Sequence, residues 1–191
     1  VQPGPNLMDF GCHLVDAALS ALGNRRPLRV VSGTVLGSRK HHELPVEEHC
    51  IGSVHLSDGV RLSVEAGATP PSAPAILRAH GSDGFAELHM NAAPGGSVLR
   101  IQKREAIAVT SPPMDEHFHH GPGGNEYFDR MLADITAAWR EKRPSEVDAD
   151  EALRGLEIIL GLLESGQRRE ILNWPLTIDR YPLDRNWAVS D

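Results

Sequence analysis

The chain has 191 residues, 40% of them hydrophobic, 24% charged and 5% aromatic, which is globular composition, neither disordered nor fibrous. Its 19 basic and 26 acidic residues give a net charge of −7, which argues against nucleic-acid partners and anionic membrane surfaces. Length favours one domain, no apolar run approaches the roughly 20 residues that span a bilayer, and Cys12 and Cys50 cannot make a disulfide framework.

In chain order, residues 1–6 (VQPGPN) read as a loop rich in backbone breakers. The run 7–22 (LMDFGCHLVDAALSAL) predicts a helix closed by Gly23. Its polar residues Asp9, His13, Asp16 and Ser20 are spaced four, three and four apart, which puts them on one stripe. The rest of the helix is apolar and should be buried, so the stripe is either satisfied by a partner or exposed in a cleft.

From Pro27 to Thr110 the pattern is that of strands. The runs 29–37, 47–56, 60–68, 75–81, 85–90 and 97–110 are separated by turns, two of them carrying Asp-Gly (Asp58-Gly59 and Asp83-Gly84). Strands joined by tight turns are antiparallel neighbours, and the polar–apolar alternation leaves one sheet face less buried than the other. Residues 111–124 (SPPMDEHFHHGPGG) form a proline, glycine and histidine loop. Residues 127–142 predict an amphipathic helix with Phe128, Met131, Leu132, Ile135 and Trp139 on one side. After the break at Pro144-Ser145, residues 148–166 predict a second helix with acidic residues in its first turn and Gly166 at its end. Residues 169–178 offer a short strand, and the chain closes on a tail. Strands in a run, then helices in a run, mean α+β.

Asp9 and His13 are the first candidates for chemistry. A carboxylate beside an imidazole orients it, and histidine titrates near neutrality, which suits acid–base work on a hydroxyl or carbonyl. The bland alternative is a helix-capping Asp9 and a satisfied interior His13. His117, His119 and His120, with Asp115 and Glu116, could bind a metal, but their spacing matches no closed zinc pattern and no metal is expected. Neither a G-x-S-x-G elbow nor a Cys-x-x-Cys pair is present, and Cys12 reads as core packing. The loop GPGGN (121–125) lacks the strand and spacing of a dinucleotide fingerprint, so no cofactor-binding residue is assigned. Glu47-Glu48 read as a strand edge, and Trp174 and Trp187 as anchors for the tail.

The run Asp9-Phe10-Gly11-Cys12-His13-Leu14-Val15-Asp16 resembles the D-x-G-x-H-x-x-D helix that opens the C-terminal domain of glucose-fructose oxidoreductase/inositol dehydrogenase (Gfo/Idh/MocA) enzymes. Glu47-Glu48-His49 through Asp58-Gly59-Val60 resembles that family's E-D-x-A…F-x-D-G-A hairpin. His80 to Gly84 is similar to its G-x-x-G turn, and Phe128–Pro144 with Asp148–Ile171 resemble its closing helices, including Ser165-x-x-x-Arg169. The shared order of these pieces over residues 1–173 carries the resemblance.

The resemblance implies an α+β domain over 1–175, an open, largely antiparallel sheet with helices on one face, and a tail at 176–191. It also implies a Rossmann domain upstream that binds NAD or NADP, a sugar, polyol or similar hydroxy substrate, and homo-oligomerisation through the open sheet face. Asp9 and His13 would be the substrate-facing pair, His13 as acid/base and Asp9 in support. The family's Glu-Lys-Pro segment and its cofactor domain are absent here, so this chain alone is not expected to bind a nicotinamide or to turn over. The start at Val1, without a leader pattern, suits a piece of a longer protein. A cytoplasmic location is the expectation. The alternative is a stand-alone, non-catalytic dimerisation or binding module of the same fold.

Overall fold

The computed structural model describes residues 7–23, 25–41, 44–67, 75–90, 98–106, 109–111, 125–179 and 182. The histidines of the 111–124 loop, and Trp187 in the tail, lie outside them. A π-helical turn at Leu7–Gly11 leads into α1 (Cys12–Leu22). Six strands follow: β1 (Pro27–His41), β2 (Leu44–Leu56), β3 (Arg61–Gly67), β4 (Ala75–Gly81), β5 (Gly84–Met90) and β6 (Val98–Lys103). Then come α2 (Asn125–Glu141), α3 (Ala149–Arg168) and the short β7 (Leu172–Asn173). The strands form one sheet in the order β6-β5-β4-β3-β2-β1-β7, and every pairing is antiparallel. The α+β expectation holds.

Turn chemistry sets the registers. Asp58 (φ 63) and Gly59 (φ 78) take the left-handed conformation that Asp tolerates and Gly adopts freely, and the Leu56 amide donates to the Val60 carbonyl at 2.9 Å. At the next turn Gly84 has φ 151, and a Cβ there would lie 2.0 Å from the Gln102 carbonyl oxygen. Only glycine fits.

With the registers fixed, period-two alternation sends Cys50, Val54, Leu62, Val64, Ala66 and Leu77 to one face. Leu14, Val15, Ala18 and Leu19 of α1 and Ile158, Ile159, Leu162 and Leu163 of α3 complete this core. Small residues let α3 sit close on β1 and β2: a Cβ on Gly52 would lie 2.2 Å from Leu162 Cδ2. The Ser32 amide donates to Ser165 Oγ at 3.0 Å, and Ser32 Oγ donates to the Leu162 carbonyl.

Three expectations need correction. The last long strand ends at Lys103: the Arg104 amide turns to Asp83 O (2.7 Å), and Thr110 folds back to pair with Ile101. Helix α3 does not stop at Gly166, which is buried where a Cβ would lie 2.2 Å from Thr34 Oγ1. The helix ends instead at Arg168, with Arg169 left-handed (φ 58) and the Glu170 amide returning to Ser165 O at 3.2 Å. Glu47 is no edge residue, because β2 lies between β1 and β3 and the side chain is fully buried. Helix α2 forms as predicted, and Phe128, Leu132, Ile135 and Trp139 of its apolar stripe are all exposed.

Trp174 is half-buried against the core, and its amide donates to Leu28 O at 3.0 Å, which continues the β7–β1 edge. The predicted strand near the C-terminus thus holds. No helix among the described residues is long and apolar enough to cross a membrane.

Candidate functional site

Two surfaces gather the polar chemistry. The first is the outer side of α1. Asp9, His13, Asp16 and Ser20 are all exposed, opposite the buried Leu14, Val15, Ala18 and Leu19. The 3.6-residue period therefore places the stripe where the sequence puts it. Asp9 sits within the π-helical turn and His13 at the start of the regular helix. The step of four between them crosses that change of winding, and among the described residues no hydrogen bond or ion pair joins their side chains. At the far end of the stripe Ser20 Oγ donates to Glu151 Oε1 of α3 at 3.2 Å.

Glu47 fixes where this helix begins. Its Oε1 accepts from the Leu7 amide at 2.5 Å, across 40 residues of sequence. A buried carboxylate at a helix N-terminus satisfies an otherwise orphaned donor and complements the macrodipole. Sequence reasoning missed this role, because two glutamates at the start of a strand look like solvated charge. By parity Glu47 falls with the outward Ile51, Ser53 and His55, and only a register shift between His49 and Glu47 turns it inward, so alternation along the strand offered no signal for it.

The cysteines are not poised as nucleophiles. Burial pushes the Cys50 thiol up to about 11. Burial also raises that of Cys12, which is half-buried and donates to the Asp9 carbonyl at 3.2 Å. A raised pKa withholds the thiolate that nucleophilic chemistry needs.

The second surface is the sheet face turned away from α1 and α3. The registers align its outward residues in rows. One row reads Gly33, Ile51, Glu65, Ile76, His89, Val98 from β1 to β6, and the next reads Val31, Ser53, Ser63, Arg78, Glu87, Arg100. The third reads Arg29, His55, Arg61, His80, Phe85, Gln102. Val31 and Ile51 are 42% and 50% exposed, unusually high for β-branched residues in mid-sheet, and they border a depression of about 460 Å³. Glu87, its side chain 14% exposed, receives Arg78 Nε and His89 Nε2, with Arg100 Nη1 at 3.6 Å. The Arg78 guanidinium first, then His89, hold its carboxyl below the usual range. His49 Nε2 lies 3.4 Å from Glu65 Oε1. The alternation predicted a less buried face, but not this gathering, which depends on register.

Neither surface fits a dinucleotide. The fingerprint needs a parallel strand–helix–strand unit, and every pairing in this sheet is antiparallel. Among the described residues no group of three or more His, Cys, Asp or Glu is placed to hold a metal ion.

No family model and no curated protein matches this sequence. Solved structures do. An aldose-aldose oxidoreductase from Caulobacter crescentus, complexed with glycerol, matches at 18% identity and TM-score 0.61, over 89% of this chain and 48% of its own. An oxidoreductase domain protein from Kribbella flavida matches at 15% identity and TM-score 0.64, over 88% of this chain and 49% of its own. The WlbA dehydrogenase from Bordetella pertussis, in complex with NADH and UDP-GlcNAcA, matches at 16% identity and TM-score 0.60, over 90% of this chain and 45% of its own. The chain thus spans about half the length of the structures it matches. Its fold is that of the C-terminal domain of Gfo/Idh/MocA oxidoreductases.

Proposed function

We propose that this chain is the substrate-binding and oligomerisation domain of an NAD(P)-dependent oxidoreductase acting on a sugar, polyol or similar hydroxy compound. The observation that carries the reading is the fold match, which covers nearly all of this chain and about half of each two-domain-sized relative. The nucleotide belongs to a Rossmann domain outside this sequence, since the residues present do not fit it. A cytoplasmic setting suits the two free thiols.

The chain's own part in the chemistry is proton handling. His13 stands exposed on α1, free to reach a ligand, and is the acid/base on the substrate hydroxyl or carbonyl oxygen. Asp9, in the turn before it, orients the substrate and supports the imidazole. Glu47 holds the helix that carries both and is a positioning residue. Assembly runs through the open sheet face, whose apolar Val31 and Ile51 lie among groups of both signs, Glu65 and Glu87 against Arg61, Arg78 and Arg100. A face carrying both signs can set some of its charges against their opposites in a second copy across a two-fold axis. Six strands about 4.8 Å apart and some seven residues long present a footprint of roughly 600 Å², which side-chain relief brings near the ~800 Å² per partner of a stable interface.

The test is turnover of the native gene product with NAD+ and NADP+ against a panel of sugars and polyols. His13→Ala should lower kcat about 100-fold or more with the fold intact by circular dichroism. Unchanged turnover would remove His13 from the chemistry. Absence of nucleotide binding and of turnover with every hydroxy compound would give way to the reading as a non-catalytic module.

A further inference from the structure

The row Arg29, His55, Arg61, His80 crosses β1 to β4 on the open face and contains no carboxylate. Arg29, Arg61 and His80 are exposed and His55 is half-buried. The other two histidines of this face differ, because each has its own counter-charge: His49 sits against Glu65 and His89 against Glu87. Carboxylates near the row are engaged elsewhere. Asp58 in the β2–β3 turn pairs with Arg25 at 3.8 Å, and Asp83 in the β4–β5 turn accepts from Ser82 Oγ at 3.2 Å. Glu65 lies two rows away, and Glu87 is shared among Arg78, His89 and Arg100.

We propose that the open face is a proton-gated self-association surface, in which protonation of His55 and His80 separates two copies of this chain. The inference rests on the sheet-face pairing proposed above. With neutral histidines the three rows carry Arg29, Arg61, Arg78 and Arg100 against Glu65 and Glu87, a face of +2. Protons on His55 and His80 raise it to +4. An isologous pair presents the same face twice, so apposed charge rises from +4 to +8 while solvent is excluded. His80 stacks on Phe85, with ring centroids 5.8 Å apart, which fixes it in the plane of contact. A proton added to either ring in the pair meets apposed positive charge, so the separated copies take up protons that the pair resists, and association weakens as pH falls.

Bulk charge predicts the opposite sign. The whole chain carries −7 at neutrality and has a pI of about 5.8, so overall repulsion relaxes on acidification. A local gate therefore shows against the general trend.

The experiment is sedimentation velocity of the full chain at pH 7.8 and 6.0, at one ionic strength, for the wild type and for His55→Gln/His80→Gln. The expected result is a dimer dissociation constant at least about tenfold larger at pH 6.0 for the wild type, which needs roughly half a proton more per pair on the separated copies, averaged over the interval. In the double variant the change should fall below about threefold. A wild-type constant that is flat, or that tightens toward the pI, overturns the gate and leaves the pairing standing. A double variant that keeps the wild-type response overturns the assignment to these histidines. A monomer at both pH values overturns the pairing and the gate together.

Discussion

Glu47 shows how one side chain can set the position of a catalytic candidate it never touches. Its carboxylate is fully buried and receives the Leu7 amide, so the turn bearing Asp9 is tied to the middle of the sheet. Glu47→Ala removes the acceptor of a buried donor and opens a cavity. The cost should be about 2–4 kcal/mol in urea unfolding at constant m, with Glu47→Gln recovering part of it. A loss under about 0.5 kcal/mol would mean the helix start is held by other contacts. Glu87 makes a separate, pH-dependent prediction. Its pKa is depressed in the folded chain, chiefly by Arg78. Its contribution is therefore complete above the unfolded value near 4.3 and is lost as pH falls through the folded value. Glu87→Gln should destabilise by about 1 kcal/mol at pH 7, and the gap should narrow as pH falls below the unfolded value. A gap that does not change with pH would assign the effect to packing.

Helix α3 contains a matched pair of glycines that separate propensity from packing. Gly155 has open space around an added Cβ, whereas Gly166 has Thr34 Oγ1 at 2.2 Å and Thr34 Cβ at 2.7 Å. Alanine is favoured over glycine in a helix by about 1 kcal/mol, so Gly155→Ala should stabilise by up to that amount. At Gly166 overpacking of about 1–3 kcal/mol opposes the same gain, so Gly166→Ala should be neutral to destabilising, and lower in Tm than Gly155→Ala. Equal shifts in the two variants would show that Thr34 moves aside freely. The same glycine marks where sequence reading fails. A glycine after an apolar period looks like a cap, and only the strand beneath it reveals a packing residue. Hairpins were legible because Asp-Gly turns act within four residues. The stripe His13, Asp16, Ser20 was legible because helical period alone decides it, and Asp9 joins it on the exposed side from the π-helical turn. The roles of Glu47 and of the histidine row were not, since each depends on partners brought together by strand register. The exposure of Phe128, Leu132, Ile135 and Trp139 was hidden for a related reason: periodicity tells that a helix has an apolar side, not that something within the chain covers it.

At the scale of the molecule, the sheet divides two tasks. One face is covered by α1 and α3 and carries the core, and the other stays open with Val31 and Ile51 half-exposed among charges. If pairing of two copies covers that face, a single substitution should separate association from folding. Ile51 is the best position, because it lies opposite Glu65 on β3 and Gly33 on β1. Lysine there finds a carboxylate across the strand, so the isolated copy keeps its fold, at a cost of no more than about 1 kcal/mol of strand preference. In a pair the same change replaces an apolar contact with an ammonium on both sides and adds to an already positive face. Ile51→Lys should therefore leave the thermal midpoint of the monomeric chain within a few degrees of wild type while sedimentation shows no dimer at pH 7.8. A variant that still dimerises would move the interface away from this face, and the exposed stripe of α2 would be the surface to test next.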